Sequence, residues 1–175
     1  MSKSYKEIMN NIKAFVFDVD GVLTDGTVHV SQDGQLLRQM NIRDGYAMKA
    51  AVDKGYPVCI ISGGSNDGVR VRLQNLGIKD IYLAVPDKLE KFYEFCDGYG
   101  IKPEEILYMG DDIPDYIVMQ KVGLPTCPQD AAPEIKGISK YISHVNGGRG
   151  AVRDVIEQVM KVHGTWMDDF SANYF

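Results

Sequence analysis

Short, unbroken apolar runs alternate along this chain with longer stretches of helical spacing. Ala14-Phe15-Val16-Phe17 is apolar throughout, β-branched or aromatic at three of four positions, and too short for a helix. It predicts a first buried strand over Lys13 to Asp18. Comparable runs predict strands at Val58 to Ser62, Ile81 to Ala84, Ile106 to Gly110, Leu124 to Cys127 and Tyr141 to Val145. Between them the pattern predicts helices over about 45–54, 66–76, 87–98, 114–122 and 130–136, with a short leading helix within 4–12. In 151–162, Ala151, Val152, Val155, Ile156, Val159 and Met160 recur at helical spacing. Asp44 is placed to cap the helix from about Gly45, and Gly55 and Gly77 to stop helices. One stretch breaks the alternation. Thr27 to Ser31 and Gln35 to Met40 are both strand-like and flank Gln32-Asp33-Gly34, a hairpin signal.

Strands alternating with helices predict an α/β fold: a Rossmann-like, doubly wound, mostly parallel sheet covered on both faces, with the hairpin inserted after the first strand. There is no repeat and no low-complexity linker, so 1–175 reads as a single domain. In such sheets ligands bind outside the carboxyl ends of the strands. Three predicted strand ends carry Asp18 with Asp20, Ser62, and Asp111 with Asp112. Polar and acidic groups therefore gather where this architecture puts its site.

Composition narrows the picture a little. The chain is 45% apolar and 25% charged, ordinary for a soluble globular protein. Its net charge is −5 with no basic run, so nucleic acid is not an expected partner. No apolar stretch approaches membrane-spanning length, and the first residues lack a signal-peptide core, so no membrane partner is expected. Cys59, Cys96 and Cys127 show no CxxC spacing, which predicts reduced thiols and a cytoplasmic home.

Two carboxylates at the end of a buried strand repel each other unless something offsets their charge, and a metal ion does so economically. Asp18 is placed to bind Mg²⁺ with one oxygen and attack an electrophile with the other. Asp20, two residues on, is placed to protonate a leaving oxygen and then take a proton from water. Ser62 and the N–H groups of Gly63 and Gly64 suit phosphate oxygens. Lys88, opening a helix just after a strand, can reach back as a point charge. Asp111 and Asp112 could complete the metal site, with Asp115 supporting it one turn later. Blander roles stay open for several of these. Asp112 and Asp115 also suit helix caps or surface charges, and Arg43 and Asp44 suit loop shaping. Lys49 and Arg72 fall on predicted helices, where a solvated face is the alternative to substrate contact.

Asp18-Val19-Asp20-Gly21-Val22-Leu23-Thr24, Ser62, Lys88 and Gly110-Asp111-Asp112-Ile113-Pro114-Asp115 resemble, in order, the four motifs of the haloacid dehalogenase superfamily of phosphotransferases. The resemblance implies an aspartyl-phosphate mechanism, with Asp18 as nucleophile, Asp20 as general acid/base, and Ser62 and Lys88 as phosphate ligands. Mg²⁺ would sit on Asp18, the carbonyl of Asp20, and Asp111. A narrower likeness rests on the hairpin insert, Asn41-Ile42-Arg43-Asp44-Gly45-Tyr46 and Gly147-Gly148-Arg149-Gly150-Ala151-Val152-Arg153. It is to the superfamily's 3-deoxy-D-manno-octulosonate 8-phosphate phosphatases, which serve lipopolysaccharide sugar synthesis. It implies that Asn41, Arg43, Asp44, Gly45, Lys49 and Arg72 line a sugar-acid site. Gly64 and Lys49 depart from the enterobacterial pattern, which has arginine at both. A nine-carbon keto-deoxy sugar acid 9-phosphate therefore stands as an alternative substrate. A phospho-accepting regulatory domain is the alternative of another class.

The segment from Gly21 to Ser62 holds only the hairpin and one helix, and that from Ser62 to Lys88 one helix and one strand. Neither holds a cap domain, so the fold is expected to be capless, with a neighbouring subunit supplying the lid. The resemblance implies a homotetramer whose hairpins form a central barrel. It also implies that the tail, about 163–175, covers the adjacent site. That tail's four aromatic residues fit docking better than a free end.

Overall fold

The computed structural model describes residues 2–167. The expected α/β sheet is present. Six strands, all pairing in parallel, lie in the order β5-β4-β1-β6-β7-β8: β1 is Ala14–Phe17, β4 Val58–Ile61, β5 Asp80–Tyr82, β6 Ile106–Met109, β7 Leu124–Cys127 and β8 Tyr141–Ile142. The chain builds outward from β1 through β4 to β5, then crosses back to start β6 on β1's other side. That reversal opens a crevice beside the carboxyl end of β1.

Alternation along each strand splits the core in two. Phe15, Phe17, Val58, Ile60, Leu107 and Met109 face one layer, with Met9, Met48, Leu73 and Val155. That layer draws on α1 (Tyr5–Met9), α2 (Ile42–Asp53), α3 (Asp67–Asn75) and α7 (Ala151–His163). Ala14, Val16, Cys59, Ile61, Ile106 and Tyr108 face the other, with Phe92, Phe95, Val118 and Ile135. There the helices are α4 (Lys88–Tyr99), α5 (Tyr116–Met119) and α6 (Pro133–Ile138). Every residue of β1, β4, β6 and β7 is buried, as continuous apolar runs in a doubly covered parallel sheet require. The three cysteines are free and buried.

Several boundaries differ from the sequence expectation. The hairpin pairs only β2 (His29–Val30) with β3 (Leu36–Leu37), and all four residues are exposed, since no described layer covers either face. α2 begins at Ile42 rather than near Gly45. Its cap is Asn41, whose side chain accepts from the N–H groups of Arg43 and Asp44 at 2.8 and 3.3 Å. The Asp44 carboxylate has turned inward and accepts from Arg153 N–H in the first turn of α7 at 2.9 Å. The helix expected over 114–122 resolves into a 3₁₀ turn, Ile113–Asp115, and the single turn of α5. β8 stops at Ile142, although Ser143 N–H still bonds the Cys127 carbonyl at 2.8 Å; its hydroxyl donates to Asp154 Oδ2 at 2.7 Å, beside the Tyr141 hydroxyl.

Of the tail, Trp166 packs against its own chain. Its ring meets Tyr46 edge-on at 6.1 Å, and the Arg153 guanidinium lies 5.4 Å from its centroid. Phe170, Tyr174 and Phe175 lie outside the described residues.

Candidate active site

β1 delivers Asp18 to the crevice with 7% exposure, its N–H still bonded to the Met109 carbonyl of β6. Asp18 Oδ1 accepts from Val19 N–H at 2.7 Å, and Oδ2 lies 3.1 Å from Lys88 Nζ. Gly21 follows with φ +84°. A Cβ there would fall 1.8 Å from an Asp111 carboxylate oxygen, so only glycine lets the β6 loop lay Asp111 against this turn. Gly147 does the same from the far end of the chain, since a Cβ on it would meet the Gly21 carbonyl at 1.9 Å.

Beneath these groups lies a buried polar knot. Asp115 is fully buried and spends both oxygens internally. Oδ1 takes Lys88 Nζ at 2.8 Å and the Tyr108 hydroxyl at 2.7 Å, and Oδ2 takes Asp111 N–H at 3.1 Å. Tyr108, within β6, donates inward from the sheet itself. Asp87 caps α4 by accepting from the N–H groups of Leu89 and Glu90, which sets Lys88 as its first residue. Ser62 ends β4, 2% exposed, with its hydroxyl accepting from Gly64 N–H at 3.2 Å.

Burial, then repulsion by Asp115, raises Asp18 from the ordinary carboxylate range to about 7, although Lys88 opposes the rise. Burial raises Asp111 to about 8, with added repulsion from Asp18 and Asp115. Burial alone would lower the Lys88 ammonium, but Asp115 and Asp18 outweigh it and the group ends above its usual value. Ligand oxygens of Asp18, Asp111 and Asp115 all lie within 4.8 Å of one another. Two carboxylates disfavoured as anions, held together by an anchored third, fit a hard divalent cation that prefers oxygen. Asp18 and Asp111 line the cleft and could hold magnesium, while Asp115 lies beneath it, orienting Lys88 and the Asp111 backbone.

The cleft above this knot is about 730 Å³ and is lined by Asp18, Asp20, Ser62, Gly63, Gly64, Lys88, Asp111 and Asp112, with Pro114 and Ile117 at its apolar side. All four expected motifs thus converge. Asp112 also caps the 3₁₀ turn, accepting from Ile113 N–H at 2.8 Å. The expected sugar-acid residues divide. Asn41 and Arg43 line a recess of about 360 Å³ with Asp25, Met40 and Arg149. Asp44, 1% exposed, does not reach either recess, because it caps α7 from within the core. Gly45 is buried beneath the Arg72 guanidinium, where a Cβ would meet Nη2 at 2.5 Å. Lys49 pairs with Asp53 along α2 at 2.7 Å, and neither Lys49 nor Arg72 lines these two cavities.

Two side chains that bond to this cluster carry little signal in the sequence. Tyr108 sits inside an apolar run with no local sign of its partner. Arg38 pairs with Asp20 through Nε at 2.7 Å and Nη2 at 3.1 Å. Its only sequence signal is a lone cation in a hairpin strand otherwise rich in leucine.

Known proteins resemble this chain in sequence and in fold. The family description of haloacid dehalogenase-like hydrolases matches residues 34–123. The 3-deoxy-D-manno-octulosonate 8-phosphate phosphatase KdsC of Escherichia coli K12 is 38% identical over 154 residues, covering 88% of this chain and 82% of its own. The crystal structure of the corresponding phosphatase from Yersinia pestis superposes with a TM-score of 0.92 at 32% identity, over 96% of this chain and 91% of that one. That from Moraxella catarrhalis, in complex with magnesium ion, phosphate ion and KDO, gives 0.87 at 31% identity over 90% and 91%. The chain belongs to the haloacid dehalogenase-like hydrolases and, within them, to the 3-deoxy-D-manno-octulosonate 8-phosphate phosphatase family.

Proposed function

We propose that this chain is a magnesium-dependent phosphomonoesterase that hydrolyses 3-deoxy-D-manno-octulosonate 8-phosphate to the free sugar acid and phosphate. The observation that carries it is the convergence of Asp18, Asp20, Ser62, Lys88 and Asp111 on one cleft, in a chain so similar to phosphatases of that substrate.

Asp18, Asp111 and the backbone carbonyl of Asp20 would hold the magnesium ion, which supplies charge neutralisation for the phosphoryl group. Lys88, Ser62 and the N–H groups at Gly63 and Gly64 bind the phosphate oxygens. An Asp18 oxygen attacks phosphorus. The bond from phosphorus to the sugar oxygen breaks, and that oxygen takes a proton from Asp20, leaving an aspartyl phosphate. Asp20, now a carboxylate, takes a proton from water as its oxygen attacks phosphorus. The bond to Asp18 breaks, and phosphate leaves. Asp20 is what separates this reading from a phospho-accepting regulatory domain, which would hold the phosphoryl group without cycling.

Asn41 and Arg43, in the adjoining recess, are placed to meet the sugar acid. Val28, Val30, Leu36 and Leu37 are exposed on the hairpin, Val30 by 70%, which supports a homotetramer assembled through the hairpins, with the tail lying over the neighbouring site. Among the described residues no helix is long and apolar enough to cross a membrane, and together with the three free thiols this supports a cytoplasmic setting for a single-domain enzyme.

The test is phosphate release with magnesium across eight-carbon and nine-carbon keto-deoxy sugar acid phosphates and hexose phosphates. Clear preference for the eight-carbon acid is expected. Preference for a nine-carbon acid would keep the mechanism and refute the substrate. Absence of turnover on all of them would refute the enzyme.

A further inference from the structure

The hairpin brings beside the cleft a charged group that the reaction above leaves unused. Arg38 grips Asp20 with a two-pronged ion pair, Nε to Oδ1 at 2.7 Å and Nη2 to Oδ2 at 3.1 Å. Its third nitrogen, Nη1, donates to the Leu36 carbonyl at 3.1 Å. The same carbonyl accepts from Asn66 Nδ2 at 3.0 Å, which ties the hairpin to the start of α3. The Arg38 side chain is only 7% exposed, whereas that of Asp20 is 38% exposed. The wall beside the pair is Gly64. A Cβ there would lie 2.9 Å from Arg38 Nη2 and 3.0 Å from Asp20 Oδ2. The pair thus occupies the space that a side chain at position 64 would take.

We propose that Arg38 is a positioning residue for phosphate-ester hydrolysis, fixing the Asp20 carboxyl group, and that Gly64 is the gap that admits it. The proposal rests on the reading of Asp20 as the acid and base. An aspartate on an exposed turn has two free side-chain torsions, and a fork of two N–H groups fixes the plane of its carboxyl. When Asp20 gives its proton to the leaving sugar oxygen, the O–H bond breaks and the electron pair stays on the carboxyl. Negative charge then appears where the Arg38 donors already point. The fork thus holds the carboxyl group in one plane through both proton transfers. An ester whose leaving oxygen is a strong base needs the proton, while an aryl ester with a weakly basic leaving oxygen depends on it far less.

The experiment measures kcat/KM with magnesium for 3-deoxy-D-manno-octulosonate 8-phosphate and for para-nitrophenyl phosphate. The variants are Arg38→Gln, Arg38→Lys, Gly64→Ala, Arg38→Gln/Gly64→Ala and Asp20→Asn. Arg38→Gln is expected to lower the sugar-phosphate value roughly tenfold to a hundredfold, a share of what general acid catalysis supplies, and the aryl-phosphate value several-fold less. Arg38→Lys, which keeps the charge without the fork, should recover part of the loss. Gly64→Ala should lower the sugar-phosphate value in the parent but add little once Arg38 is gone, because the group it displaces is absent. Equal losses on both esters, or undiminished sugar-phosphate turnover in Arg38→Gln, would overturn the proposal. Asp20→Asn separates the two layers. If it retains sugar-phosphate turnover, the acid/base reading itself fails. If it abolishes turnover while Arg38→Gln does not reduce it, only the role of Arg38 fails.

Discussion

Replacing Asp111 by asparagine should disable the enzyme and stabilise its metal-free form. Asn matches the shape of Asp, so the close fit over Gly21 survives while one negative charge leaves the cluster. In the metal-free chain Asp111 is raised from 3.8 to about 8, through burial and then repulsion by Asp18 and Asp115. A raised carboxyl keeps its proton in the folded state after the unfolded chain has lost it. Folding therefore becomes less favourable as pH rises above about 4, and the loss is complete near the folded value of about 8. Each tenfold weakening of the acid corresponds to about 1.4 kcal/mol, which sets a ceiling of roughly 5 kcal/mol at pH 8. Water at the mouth of the cleft screens part of this, so the gain for Asp111→Asn should be on the order of 3 kcal/mol. Below about pH 5 it should shrink to less than about 1 kcal/mol, because Asp111 is then protonated in the folded state and costs little. For a chain this long, that gain is a rise of roughly 6–12 °C in Tm. The assay is thermal unfolding of parent and variant in chelator, at both pH values, repeated with magnesium. Magnesium should stabilise the parent strongly at pH 8 and the variant hardly at all. A metal-free variant no more stable than the parent at pH 8, or an equal gain at both pH values, would refute the charge-frustration argument.

Two further outcomes follow from the packing. Lys88→Met strips the cation from Asp18 and Asp115, so turnover should fall by at least about 100-fold. Urea denaturation should also show a loss of about 3 kcal/mol, because Asp115 has no water to turn to. Gly147→Ala drives a methyl group into the Gly21 carbonyl and should cost at least about 2 kcal/mol, read by the same denaturation. An alanine variant as stable as the parent would show that the loop can move away freely.

What could be read from the sequence was what is local. Apolar runs placed β1, β4, β6 and β7 because a strand covered on both faces must be apolar at every position. Asp18, Ser62 and Asp111 were legible as candidates because a doubly wound sheet puts its site at strand ends, and each stands just beyond one; Lys88 opens the helix after β5. Asp44 misled because an acidic residue before a glycine looks like a local cap. Asn41 was better placed for α2, and Asp44 serves α7, which no window of neighbouring residues contains. Arg38 and Tyr108 were invisible for the same reason, since their meaning lies in partners brought near only by the hairpin's return and by the 3₁₀ turn after β6. The hairpin's strand alternation was legible in type but not in length. Its paired core is two residues a side, and all four are exposed.

The contact of Gly147 and Gly148 with the backbone of Gly21 and Val22 also sets an order of assembly during synthesis. Asp18 leaves the ribosome early, and the glycine loop that seats its turn leaves near the end, roughly ten seconds later at ordinary elongation rates. A chain interrupted between Asp112 and Gly147 would carry Asp18, Ser62, Lys88 and Asp111, yet lack the loop that packs beneath the turn after β1. Chains that end in that stretch should therefore hold the turn after β1 less firmly than the full chain does.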